Sequence, residues 1–152
     1  MTAPMGGEFP DLNRRFDYEW GTLDEADLGD DPFVALRSWL AEAEAEPVAD
    51  FNAMVVATAG SDGRPSTRNV LLRGIDDAGR LSFFTNRQSR KGAEMAASSS
   101  VSLLFSWLPM HRQVRVDGDA AELDDEASDA YFRTRPRDSR LAAWASPQSE
   151  VI

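Results

Sequence analysis

The chain has 152 residues, 42% hydrophobic and 28% charged, enough for one globular domain whose core needs neither metal nor disulfide. It contains no Cys, which removes disulfide scaffolds, thiol nucleophiles and Cys-based metal sites, and its single His, His111, cannot build a histidine metal site alone. No apolar run approaches the roughly 18 residues of a membrane span, and Glu8, Asp11 and Asp17 interrupt any basic-then-apolar leader pattern, so the expected location is the cytoplasm.

The net charge of −10 is unevenly placed. Residues 1–50 hold 13 acidic and 3 basic side chains, whereas residues 51–152 hold 13 of each. Within that neutral part the cations bunch: seven lie between Arg64 and Lys91 and four between Arg133 and Arg140. Solvated, salt-bridged faces are the commoner meaning of such runs. Two compact clusters in an acidic chain also suit two small anion sites, and they do not suit a nucleic-acid track.

Residues 1–30 are acidic and aperiodic, and a flexible arm is expected there. Asp31-Pro32 reads as a helix start, with Asp as N-cap and Pro in the first turn. Phe33, Leu36, Leu40 and Ala43 then share one face up to Glu46-Pro47. The period next changes to that of strands. Ala53 to Thr58, a turn at Gly60-Ser61-Asp62-Gly63 and a return strand Ser66 to Arg73 form a hairpin, with Arg68, Val70 and Leu72 on one side and Asn69, Leu71 and Arg73 on the other. A third strand is expected over Leu81 to Thr85. Three meandering antiparallel strands argue for a barrel or sandwich, and against a doubly wound sheet.

Ser89 can cap a helix running to Ala97, with Arg90 and Lys91 in its first turn. Cations there oppose the helix dipole unless an anion shares the site. Two more strands follow, Val101 to Trp107 and Gln113 to Leu123, the second broken by Gly118. A helix from Asp124 or Asp125 carries Tyr131 and Phe132 and ends at Pro136, and Leu141 to Trp144 reads as a short apolar turn.

Two constellations carry chemistry. The first joins strand Arg68 to Arg73, Phe84-Thr85 and Ser89-Arg90-Lys91. It offers a guanidinium fork, an ammonium and helix amides for a phosphate, with strand backbone for the rim of a flat ring. The second, Tyr131 to Ser139, fans a phenol, several guanidiniums and a hydroxyl around a helix end, where a second phosphate could sit. An exposed Arg-rich sheet edge is the commoner meaning of the first pattern taken alone, and a solvated loop pairing with the acidic amino-terminal part is the plain alternative for the second.

As strings the residues become specific. RNVLLR (68–73), FFTN (83–86), SRKG (89–92), VSLLFSW (101–107), RQVRVDG (112–118), YFRTRPRDS (131–139) and AAWASPQS (142–149) follow one another as in pyridoxamine 5′-phosphate oxidases, and the chain resembles that family over residues 31–150. The resemblance implies an α+β, mainly β protein, an FMN-binding split β-barrel over residues 31–152, working as a homodimer with FMN at the subunit interface. It implies oxidation of pyridoxamine or pyridoxine 5′-phosphate to pyridoxal 5′-phosphate, with oxygen as electron acceptor.

By the same resemblance FMN would meet Arg68, Asn69, Val70, Leu71, Leu72, Arg73, Phe84, Thr85, Arg90, Lys91, Gln113, Gln148 and Ser149. The phosphorylated substrate would meet Arg73, Tyr131, Arg135 and Ser139, with Arg15 and Tyr18 matching an Arg-x-x-Tyr lid. No side chain is expected to act as a catalytic nucleophile. Position 73 is Arg where the family usually has Lys, and position 84 is Phe where many members have Tyr. Family members continue into W-G-G-F/Y-R and R-L-H-D/N-R strings that this sequence lacks, so a C-terminally truncated chain is expected. That makes a flavin-binding module without turnover the second expectation. A related oxidase of phenazine-type biosynthesis is the third.

Overall fold

A computed structural model of the chain describes residues 23–46 and 48–145, with side chains described as far as residue 143. The described residues form five α-helices and six strands. These are α1 (Glu25–Leu28), α2 (Pro32–Ala45), β1 (Ala53–Ala59), β2 (Pro65–Leu71), β3 (Gly74–Ile75), β4 (Leu81–Ser82), α3 (Arg90–Ala97), β5 (Ser100–Trp107), β6 (Arg112–Asp119), α4 (Asp125–Thr134) and α5 (Arg137–Ala145). Four strands make an antiparallel sheet in the order β2-β1-β5-β6, and β3 and β4 pair as a separate hairpin. This is the antiparallel, helix-flanked architecture that the strand meander predicts.

The core follows from strand alternation. Along β1, Met54, Val56 and Thr58 are buried while their neighbours are half-exposed, and along β5 the same alternation buries Leu103, Phe105 and Trp107. Helix α2 adds Leu36 and Ala43, and Leu72 and Met110 complete the cluster. Phe105 and Trp107 stack with centroids 5.5 Å apart, and the Trp107 indole N–H donates to the Phe51 carbonyl at 2.8 Å. A buried indole therefore keeps its hydrogen bond.

Helix α2 begins as its sequence directs, with the Asp31 carboxylate accepting from the Phe33 amide at 2.8 Å and Pro32 at the first position. Its Phe33 ring fixes the turn of the β3–β4 hairpin. Gly79 has φ +76°, and a Cβ there would stand 2.3 Å from the Phe33 ring, so only Gly satisfies both the backbone and the packing. The Asp76 carboxylate accepts from the amides of Ala78 and Arg80 and from Arg80 Nε in the same turn, and the two Arg80 bonds above all hold its pKa below the usual value.

Several elements differ from the sequence expectation. The third strand covers only Leu81–Ser82 of the expected 81–85, paired with Gly74–Ile75; beyond it Phe83 packs against the core and Phe84 stacks on Tyr131 of α4. Strand β6 passes unbroken through Gly118, which pairs with Val101, and ends at Asp119. The expected apolar turn at 141–144 is part of helix α5. Pro136 ends one helix and begins the next, its carbonyl accepting from the Arg140 amide at 3.0 Å, a position where the missing N–H costs nothing. Finally, the short helix α1, closed by an Asp24–Asp27 capping box, lies within the stretch expected to be aperiodic.

Candidate functional site

Strand β2 is an edge. Among the described residues it pairs with β1 alone, so alternate backbone amides and carbonyls over Pro65–Leu71 face away from the sheet. The strand ends at Leu71 rather than at the expected Arg73, but the alternation runs on through Leu72 and Arg73: Arg68, Val70 and Leu72 turn inward, while Asn69 and Arg73 are exposed. Leu72 belongs to the core and Val70 packs against it. The string Arg68 to Arg73 therefore serves two separate places.

On the inner face Arg68 enters a polar network. Its Nη1 donates to the Val56 carbonyl at 3.2 Å and to Thr58 Oγ1 at 2.5 Å, and its Nη2 donates to Ser66 Oγ at 2.6 Å and Glu94 Oε2 at 3.2 Å. Glu94, on α3, is the hub. Its Oε2 also accepts from Thr58 and Ser66, and its Oε1 accepts from Arg90 Nε at 2.7 Å. The hydroxyls of Ser66 and Thr58, with Arg90 next and Arg68 after desolvation, hold the Glu94 carboxyl at a pKa of about 2. Glu94 is a buried carboxylate, ionised at neutral pH, that sequence reasoning missed; the Arg90–Glu94 spacing of four on a helix was the available signal.

Lys91 completes this cluster. Its ammonium lies 3.3 Å from Ser89 Oγ, and burial first, then the nearby Arg68 charge, push its pKa below the ordinary lysine value. Ser89 is fully buried and caps α3 through the Gly92 amide while donating to the Asn86 carbonyl. Gly92 is required here, since a Cβ would stand 2.2 Å from the Arg87 carbonyl oxygen. Arg68 and Arg90 thus pair with Glu94 while Lys91 lies beside the Ser89 cap, so three cations gather at the N-terminus of α3. The opposition of Arg90 to the helix dipole, expected to call for an external anion, is met in part by Glu94.

On the outer face the second group forms around Tyr131. Its ring stacks on Phe84 with centroids 3.7 Å apart and planes 6° from parallel, and the Arg73 guanidinium lies 5.7 Å from its centroid. Helix α4 is set there by its Asp124 cap and by Arg87, which bridges Glu122 and Asp125 at 3.2 and 3.1 Å. Arg135 caps the C-terminus of α4 and Ser139 lies half-buried in the first turns of α5. Thr85 is half-buried in the segment between β4 and α3.

The predicted residues do not all converge. Gln113 is exposed on β6, opposite Ser106, with β1 and β5 between it and β2. Arg15, Tyr18, Gln148 and Ser149 lie outside the described residues. Among the described residues no helix is long and apolar enough to cross a membrane, and no three His, Asp or Glu side chains cluster as metal ligands would.

Comparison with known proteins places these groups in context. Residues 40–152 match the family model described as pyridoxamine 5′-phosphate oxidase. The chain is 49% identical over 144 residues to the pyridoxine/pyridoxamine 5′-phosphate oxidase of Methylibium petroleiphilum, covering 94% of this chain and 67% of that protein. It is 47% identical over 145 residues to the enzyme of the same name from Cupriavidus necator, with 95% and 67% covered. The chain thus spans about two thirds of the length of these relatives. Among solved structures it resembles PhzG from Burkholderia lata 383, whose crystal structure holds tetrahydrophenazine-1-carboxylic acid. That similarity has a TM-score of 0.79 and 32% identity over 86% of this chain and 65% of PhzG. A pyridoxamine 5′-phosphate oxidase-related, FMN-binding protein from Nostoc punctiforme shares the fold at 20% identity and TM-score 0.61, over 75% of this chain and 64% of that one.

Proposed function

Because the chain belongs to the pyridoxamine 5′-phosphate oxidase family, a family of oxidoreductases on a split β-barrel, we propose that it binds FMN and oxidises pyridoxamine or pyridoxine 5′-phosphate to pyridoxal 5′-phosphate. The observation that carries this reading is the gathering of Arg68, Arg90 and Lys91 around the Ser89 cap at the N-terminus of α3. A phosphate monoester dianion would meet cations and helix amides there. The residues present therefore fit FMN: cations and helix amides for its phosphate, and the open backbone of β2 for the polar rim of its ring. When bound, FMN supplies the two-electron acceptor, which oxygen regenerates.

The chain's own residues hold and orient. Lys91 gives a point charge to the cofactor phosphate. Arg68, with both terminal nitrogens engaged inside the protein, offers its Nε–H. At the other end of β2, Arg73 and the Tyr131–Phe84 stack flank the place of the substrate, whose phosphate Tyr131, Arg135 and Ser139 would take. Gln113 is separated from β2 by two strands, which fits a homodimer in which it reaches the cofactor bound by the partner subunit. Arg15, Tyr18, Gln148 and Ser149 keep the roles that the family resemblance gives them.

The similarity to PhzG favours a second reading, a flavin oxidase acting on a phenazine-type precursor. The higher identity to the pyridoxine/pyridoxamine 5′-phosphate oxidases and the Arg133–Ser139 cluster, which suits a phosphorylated substrate, support the first. The test is to load the purified protein with FMN and follow product formation under air with pyridoxamine 5′-phosphate, pyridoxine 5′-phosphate and a dihydrophenazine carboxylate. Turnover of the phosphorylated substrates is expected; turnover of the phenazine precursor alone would select the second reading.

A further inference from the structure

The network around Glu94 goes beyond holding the fold. A buried acidic group beside an anion site is electrostatically the wrong sign, since a carboxylate repels a phosphate. Its geometry resolves the conflict. Oε2 takes Arg68 from β2 at 3.2 Å and Oε1 takes Arg90 from α3 at 2.7 Å, so one carboxylate ties together the two arginines that come from different elements. Ser66 and Thr58 fix the same oxygen, each also bonded to Arg68. Both terminal nitrogens of Arg68 are thereby committed, which fixes the plane of its guanidinium. Lys91 is left as the cation that is not part of the Glu94 network but lies beside the Ser89 cap.

We propose that Glu94 is a positioning residue for the phosphate group of the flavin: it fixes Arg68 and Arg90 so that the site presents a preformed donor edge, and it thereby gives the protein its preference for FMN over unphosphorylated flavin. This rests on the reading that the Arg68–Lys91 cluster is the cofactor phosphate site. Two effects of Glu94 then compete. Its charge weakens the binding of a dianion, and its alignment of the two guanidiniums strengthens it. With the ordering cost of two long side chains already met in the free protein, alignment outweighs repulsion.

The sign is open to experiment. Glu94→Gln keeps the size and most hydrogen-bonding capacity of the side chain but removes the charge that holds both arginines. Titrations of the unaltered chain and the variant with FMN and with riboflavin, followed by flavin fluorescence, separate the phosphate contribution from that of the ring. The unaltered chain is expected to prefer FMN, and Glu94→Gln to lose about tenfold in FMN affinity while riboflavin binding changes less than about twofold. A preference for FMN in the variant equal to or greater than that of the unaltered chain overturns the positioning role while leaving the phosphate site in place. Equal binding of FMN and riboflavin by the unaltered chain overturns the site itself and this proposal with it. Should Glu94→Gln fail to fold, Ser66→Ala removes one hydroxyl that holds both Glu94 and Arg68. A smaller loss confined to FMN is then expected, and an unchanged preference overturns the proposal.

Discussion

Arg68 and Arg73 stand five residues apart on one segment of chain, yet the protein treats them in opposite ways. Arg68 points inward, with four hydrogen bonds from its terminal nitrogens and a buried carboxylate as counter-charge. Arg73 points outward and is exposed, with a cation–π contact to Tyr131. The difference teaches that the inner end of the site is rigid and built into the fold, whereas the outer end is an adjustable surface resting on α4. A cofactor that stays bound suits the first; a substrate that must come and go suits the second.

Arg68→Ala should have the largest effect. It strips the buried Glu94 of one of its two cationic partners and leaves Val56, Thr58 and Ser66 short of a donor, so thermal unfolding should begin many degrees lower and FMN binding should be lost with it. A melting curve close to that of the unaltered chain would show that the inner end is no more rigid than the outer one. Lys91→Ala sharpens the contrast, because the Lys91 ammonium is already disfavoured by burial and by Arg68. FMN affinity should fall by about 1.5–3 kcal/mol, roughly 10- to 160-fold, while stability to urea stays equal or rises slightly. A parallel loss of both would place Lys91 in the scaffold.

Acid separates the two ends further. The Glu94 carboxyl sits at about 2 in the folded protein against an ordinary 4.5, so its contribution to stability is complete above about pH 4.5 and is lost as the pH falls through 2. Urea unfolding between pH 5 and 2 should therefore lose stability with a slope that Glu94→Gln reduces; equal slopes in the two proteins would contradict the buried network.

At the outer end the effects should be smaller and confined to substrate. Phe84→Ala removes a stacked pair worth about 0.5–1.5 kcal/mol beyond its buried area, and should raise the KM for the phosphorylated substrate several-fold with FMN affinity little changed. Arg73→Lys, which installs the residue usual in the family, exchanges one cation for another over Tyr131. It should shift KM by no more than about threefold, since an exposed cation–π contact is worth about 0.5–1 kcal/mol.

How much of this was legible in the sequence follows the same division. Helix α2, the β1–β2 hairpin and the Ser89 cap could be read directly, because each is written in local signals: an Asp-Pro start, a period of two, a Gly-rich turn, a hydroxyl before a helix. Helix α5 was not, since Pro136 is equally a stop for one helix and a start for another, and only packing decides. The cations of the inner site stood out as a charge run. Their organiser did not, because a single Glu in a polar helix carries no mark of burial until Thr58 and Ser66 arrive from the sheet to meet it. The Phe84–Tyr131 stack joins residues 47 positions apart, beyond any local pattern.

The most direct test of the account is a crystal structure of the protein grown with FMN. The phosphate is predicted to lie within about 3.2 Å of Lys91 Nζ and Arg68 Nε, beside the Ser89 cap, with the flavin ring running along the open edge of β2. A phosphate seated instead among Arg133, Arg135 and Arg137, with the β2–α3 cluster empty, would contradict it.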